Sequence, residues 1–83
     1  MAETAYVLIN TRNKELKDIL EDVRIAKGVT GAYAITGPYD IVAVMEAENL
    51  SLLGQLITTE IHPIPGVERT LSCIVINLDK KTS

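Results

Sequence analysis

Eighty-three residues make one small domain, too short for two independent hydrophobic cores, and residues 1–83 are read as a single unit. A single cysteine, Cys73, excludes an internal disulfide, and one Cys with one His supplies too few ligands for a zinc site. The formal net charge of −3, from 8 basic and 11 acidic residues, is wrong for a domain that binds nucleic acid by neutralising phosphates.

No apolar run approaches the roughly 18–20 residues that span a bilayer, and the opening M-A-E-T-A-Y lacks the basic start and apolar stretch of a signal peptide. The expectation is a soluble, cytoplasmic protein needing no cofactor, and the lone thiol suits a reducing compartment. The chain is 47% hydrophobic with three Tyr, no Phe and no Trp, so its core is aliphatic. A core this small often needs extra burial, and assembly with other chains is the route left open.

In chain order, residues 5–10 (A-Y-V-L-I-N) are β-prone and end in the turn-like T-R-N, which predicts a first strand. Asn13 is a candidate N-cap for a helix in which Leu16, Ile19, Leu20, Val23 and Ala26 recur at helical spacing. Lys14, Lys17, Asp18 and Glu21 fall on its wet face, and Gly28 is placed to close it. Residues 29–36 and 41–46 read as two further strands joined by a hairpin or near-hairpin through G-P-Y-D. Asn49 caps a second helix with Leu50, Leu53, Ile57 and Ile61 on one side; Gly54 inside it suggests a close neighbour. That helix must end near His62, because Pro63 disfavours helical geometry in the residue before it. Residues 67–78, with S-C-I-V-I-N-L, form the last strand.

Strand–helix–strand therefore occurs twice, each helix being followed by Gly-Val (Gly28-Val29 and Gly66-Val67) and a strand. This pattern predicts an α+β, ferredoxin-like βαββαβ fold: four antiparallel strands with two helices on one face. A sheet face open to water should show polar residues at alternate positions. Here Val7 and Ile9 alternate with Tyr6 and Leu8, Ile41, Ala43 and Met45 with Val42 and Val44, and Ile74 and Ile76 with Cys73 and Val75. Both faces are apolar, and two helices cover only one. A second chain covering the other predicts a dimeric α+β sandwich or barrel.

No catalytic constellation stands out. Glu46 and Glu48 read as solvated strand-end carboxylates, and G-V-T-G-A-Y lacks the Lys and helix of a phosphate loop. Cys73 reads as inert core, being mid-strand with no base nearby in sequence. His62 at a helix C-terminus is either a capping residue favoured by the helix dipole or a polar lining residue of a small-molecule pocket. In G-P-Y-D, Pro38 and Gly37 suit a chain reversal. Asp40 is either a turn carboxylate bonded to nearby N–H groups or an acid facing an ammonium, beside loop amides that hold a carboxylate. The second alternative matches the two charges of an α-amino acid, and it implies that removing the carboxylate abolishes binding with the fold intact.

T-G-P-Y-D-I-V-A-V, followed by a helix and I-P-G-V-E-R-T-L-S-C-I-V, resembles the effector-binding RAM module (regulation of amino-acid metabolism) of the Lrp/AsnC, or feast/famine, transcription regulators. The resemblance runs from about Ala5 to Leu78. It implies a homodimer formed through the sheet faces, assembly of dimers into higher ring-like oligomers, and an amino-acid effector in clefts between dimers. Family members carry a helix-turn-helix before this module; only M-A-E-T precedes the first strand here, so the chain is similar to stand-alone members. These would act on transcription indirectly, without contacting nucleic acid or membrane themselves, through full-length Lrp/AsnC relatives. By position, the ligand-binding residues implied are Gly37, Pro38, Tyr39 and Asp40, with Ala34 and Thr36 from the preceding strand, His62 from an adjoining dimer, and Thr70 and Ser72 on the last strand. No catalytic residue is implied. Two alternatives stay open at this stage: a small dimeric α+β barrel enzyme of monooxygenase or isomerase type, and a purely structural assembly module.

Overall fold

A computed structural model describes residues 2–12 and 15–78; the expected cap Asn13 and Lys14 lie outside the described residues. The elements are β1 (Glu3–Thr11), α1 (Leu16–Arg24), β2 (Val29–Ala34), β3 (Ile41–Ala47), α2 (Leu50–Leu56) with a π-helical turn (Ile57–Ile61), and β4 (Val67–Ile74). The strands form one antiparallel sheet in the order β2-β3-β1-β4. The two strand–helix–strand halves thus interleave, with the first strand of each, β1 and β3, paired at the centre, as the ferredoxin-like reading expects.

The register sets which side chains meet the helices. Ala5, Val7 and Ile9 of β1 stand opposite Met45, Ala43 and Ile41 of β3, and all six are fully buried. Ile19 and Val23 of α1, four residues apart on one helix face, close over this row with Leu53, Ile57 and Ile61 of the second helix. Helix α1 lies over β2 and β3, and α2 over β3 and β1. Asn49 caps α2 as expected, its Oδ1 accepting from the Leu52 N–H at 2.7 Å. The π-helical turn ends on His62, whose N–H donates to the Ile57 carbonyl at 3.2 Å.

Several boundaries and roles differ from the sequence reading. Helix α1 stops at Arg24 with Ile25 as its cap, so Ala26 falls in the following turn and Gly28 is not its closing residue. Strand β2 ends at Ala34, and β4 ends its ladder at Ile74; beyond it, the Val75 N–H still donates to the Thr4 carbonyl at 2.9 Å. Cys73 is exposed rather than core, because it pairs with Tyr6 on the sheet face away from the helices. That face also carries Leu8, Tyr33, Val42, Val44 and Leu71 by strand alternation, and Tyr6, Tyr33 and Leu71 are each about half exposed. Among the described residues, no helix covers it. A Cβ on Gly54 would meet nothing within 4 Å, so within one chain no close neighbour explains that glycine.

Gly66 has a firm reason. Its φ is +98°, in the left-handed region, and a Cβ there would lie 2.5 Å from Ile19 Cδ1. The loop before β4 therefore presses its backbone onto α1. Gly66→Ala is expected to lower the unfolding free energy by about 3 kcal/mol, from backbone strain and overpacking together. Gly54→Ala, in open helix surface, is expected to raise it by about 1 kcal/mol. Urea denaturation of the two variants checks both signs.

Candidate functional site

The G-P-Y-D loop leaves the sheet where β2 ends. The Ile35 N–H donates to the Asp40 carbonyl at 2.9 Å, which closes the loop around Thr36, Gly37, Pro38 and Tyr39. Gly37 makes the reversal with φ +115°, and nothing lies within 4 Å of the position its Cβ would occupy. Thr36, Gly37 and Pro38 are exposed, and Tyr39 and Asp40 are half-buried. Among the described residues, the amides of Thr36, Gly37 and Tyr39 donate to no other group.

Asp40 is tied into the sheet. Its N–H donates to the Ile9 carbonyl at 2.9 Å, and its Oδ2 accepts from the Thr11 N–H at 2.8 Å and the Thr11 hydroxyl at 3.2 Å. The carboxylate thereby satisfies a backbone donor at the end of β1, where the register of the β1–β4 pair shifts between Asn10 and Thr11. The carboxylate is thus held by a neighbouring strand and not by the loop N–H groups that the turn-carboxylate alternative expects. Thr11 went unremarked in the sequence because nothing links position 11 to position 40 until the strand register is known.

The remaining candidates lie at the other edge of the sheet. His62 Nε2 and Thr70 Oγ1 are 3.1 Å apart, a bond between the end of the second helix and β4. His62 is exposed, and it borders an open depression of about 200 Å³ lined also by Val67, Glu68 and Thr70. Ser72, two residues along the same face of β4, is exposed. Ala34, Ile41, Ile9 and Thr70 form one transverse row across all four strands. At about 4.8 Å per strand, Ala34 and Thr70 stand roughly 14 Å apart. One chain therefore holds Ala34 and the loop residues Thr36, Gly37, Pro38 and Tyr39 on the β2–β3 side and His62, Thr70 and Ser72 on the β4 side, with Asp40 between them at the end of β1. It does not bring the two groups together.

Other concavities lie away from both groups. One of about 540 Å³ runs between residues 2–4 and 75–78, and one of about 290 Å³ lies between α1 and Pro65-Gly66. Among the described residues, no three His, Cys, Asp or Glu side chains come together to hold a metal ion, and no helix is long and apolar enough to cross a membrane.

Residues 4–83 match the sequence model of the Lrp/AsnC ligand binding domain. The chain is similar to the uncharacterized HTH-type transcriptional regulator PH1692 of Pyrococcus horikoshii, 28% identical over 78 residues covering 94% of this chain and 52% of that protein. It thus spans about half the length of that curated relative. Among solved structures, TTHA0845 from Thermus thermophilus superposes with a TM-score of 0.84 at 32% identity, over 90% of this chain and 94% of that one. The transcriptional regulator NMB0573 of Neisseria meningitidis, solved as an L-Met complex, shares the fold with a TM-score of 0.77 at 21% identity, over 98% of this chain and 54% of that one.

Because the Asp40 carboxylate holds the Thr11 N–H, its removal is expected to reach the fold, contrary to the sequence reading. Asp40→Ala should lower the unfolding free energy by about 1–3 kcal/mol, measured by urea denaturation in the absence of any ligand.

Proposed function

Since this chain belongs to the Lrp/AsnC ligand-binding domain family, an effector-binding family of transcription regulators rather than an enzyme family, we propose that it senses an amino acid at clefts completed between chains. The observation that carries this reading is the division of the candidate residues between two opposite edges of one sheet. Neither edge encloses a small molecule alone. A loop edge from one dimer set against a His62–Thr70 edge from its neighbour does.

In this reading residues 1–83 act as one ligand-binding and oligomerisation unit in the cytoplasm. Two copies pack through the uncovered apolar face, hiding Tyr6, Leu8, Tyr33, Val42, Val44 and Leu71 from water, and the dimers join into a larger ring. The unspent amides of Thr36, Gly37 and Tyr39 meet the carboxylate of the effector. Asp40 and Thr11 hold the loop in shape, while Ala34 and Tyr39 offer it apolar surface. His62, Thr70 and Ser72 supply the polar groups of the facing edge and tune which side chain is accepted. The L-Met complex of the Neisseria meningitidis relative supports an amino acid as the ligand class. The module acts on transcription indirectly, by co-assembling with full-length relatives that carry DNA-reading elements; the acidic balance of the chain weighs against direct phosphate contact.

Titration calorimetry against the twenty amino acids tests the sensor reading: binding to at least one is expected, and no heat from any of them at millimolar concentration would refute it. For the assembly, Val44→Asp sets a charge at the middle of the apolar face. Sedimentation should then report a species of lower mass than the unaltered chain forms, and an unchanged mass would refute packing through this face.

A further inference from the structure

An α-amino acid carries a carboxylate and an ammonium on one carbon, and in the proposed cleft only the first has a partner. The loop amides of Thr36, Gly37 and Tyr39 suit an anion, but a cation needs an acid. Asp40, the acid of the loop, turns its Oδ2 to the N–H and hydroxyl of Thr11 in its own chain. A second acid stands on the β4 side of the sheet. His62, Val67, Glu68 and Thr70 line the open depression of about 200 Å³, and of these four Glu68 alone carries a carboxylate.

The strand register explains how Glu68 comes to be there. Asn10 pairs with Arg69 and Thr11 with Val67, so Glu68 is one residue too many for the β1–β4 ladder. Such a β-bulge leaves its extra residue unpaired and re-aims the side chains around it. In a regular strand, positions 67 and 70 would point to opposite faces. Here Thr70 stands opposite Ile9 and Val67 opposite Thr11, two positions on the helix side of β1 by alternation, and Val67 packs against the core. Glu68 lies between them beside the depression, while Arg69, opposite Asn10, falls on the other face of the sheet. Glu68 is exposed, and among the described residues no hydrogen bond or ion pair holds its side chain.

We infer that Glu68 accepts the α-ammonium of the effector, while the loop amides of the facing chain hold its carboxylate. This role rests on the amino-acid-sensing reading and names the acid that reading lacks. Hydrogen bonds between two charged groups are roughly twice as strong as neutral ones, so the acid is where discrimination for an amino group resides. His62 and Thr70, whose side chains meet at 3.1 Å, and the Ser72 hydroxyl offer no negative charge and are left to meet the effector's side chain. Because Glu68 forms no other bond among the described residues, it gives up no existing partner to bind a cation. The class of effector follows: α-amino acids with a free amine are taken, and acids that lack the amino group are rejected whatever their side chain.

Calorimetry with two probes tests this: the tightest-binding of the twenty amino acids, and the same carboxylic acid with hydrogen in place of its amino group. The unaltered chain should prefer the amino acid by roughly 10–100-fold, the worth of a hydrogen bond to a charged group. Glu68→Gln keeps the shape and removes the charge. It should bind the two probes about equally, with its urea midpoint unchanged because the side chain holds nothing in the fold. A preference kept in full by Glu68→Gln would overturn the assignment, leave the sensing reading standing and return the ammonium to Asp40. Weakening of both probes by the same factor would also overturn it, since a merely structural residue does not tell an amino group from hydrogen. If the unaltered chain binds none of the twenty, the sensing reading itself is refuted and the role of Glu68 falls with it.

Discussion

A four-stranded sheet has two faces, and this chain brings two short helices, both to the same side. The rest of the structure follows from that shortage. The inner row of Ala5, Val7, Ile9, Ile41, Ala43 and Met45 is fully buried, and burial of this kind is the main favourable term in folding. The same strands place Tyr6, Leu8, Val42 and Val44 on the opposite side, which neither described helix covers. An aliphatic chain of 83 residues has little core to spare, so surface left exposed by one copy is surface available to another. Architecture and the proposed assembly are thus answers to one problem, an apolar face that the two helices leave uncovered.

The order of the strands and the two helices was legible in the sequence, because the periods change cleanly from two to 3.6 and back and the Gly-Val pairs mark the return to strand after each helix; the π-helical turn that ends the second helix was not. The apolar second face was legible too, from unbroken runs such as I-V-A-V-M. What could not be read were the facts that depend on register. Thr11 and Asp40 are 29 positions apart, and only the pairing of β1 with β3 makes them neighbours. Cys73 looked like core because a mid-strand thiol between apolar residues usually is; its exposure follows from its parity with Tyr6 and from β4 being an edge. The end of α1 was misplaced because its last turn is decided by local bonds, such as the Ile25 N–H to the Glu21 carbonyl at 3.3 Å, and not by the apolar stripe; the second helix ends at His62 as expected.

Asp40 shows how one residue can meet a structural demand at a place where function is also expected. Its carboxylate satisfies the Thr11 N–H at the end of β1, and the loop it anchors then projects Thr36, Gly37 and Pro38 into solvent, with the amides of Thr36 and Gly37 unspent. The stiffness of the anchor and the openness of the loop are complementary, since amides that are held in place lose less freedom when they meet a ligand. The polar pair of His62 and Thr70 does the same at the far edge, fixing an imidazole against a strand instead of leaving it to swing.

The π-helical turn at Ile57–Ile61 has a consequence for variation. Such a turn holds one more residue than an α-helical turn, and here the surplus is absorbed between Leu53 and Ile61, both wholly buried. Losing or gaining a single residue at that point would rotate everything beyond it by about 100° about the helix axis, swinging the imidazole away from β4 while Leu53 stays seated. Ile61 lies beyond the same point and would leave the core with it, so the surplus residue ties the aim of the imidazole to the seating of Ile61.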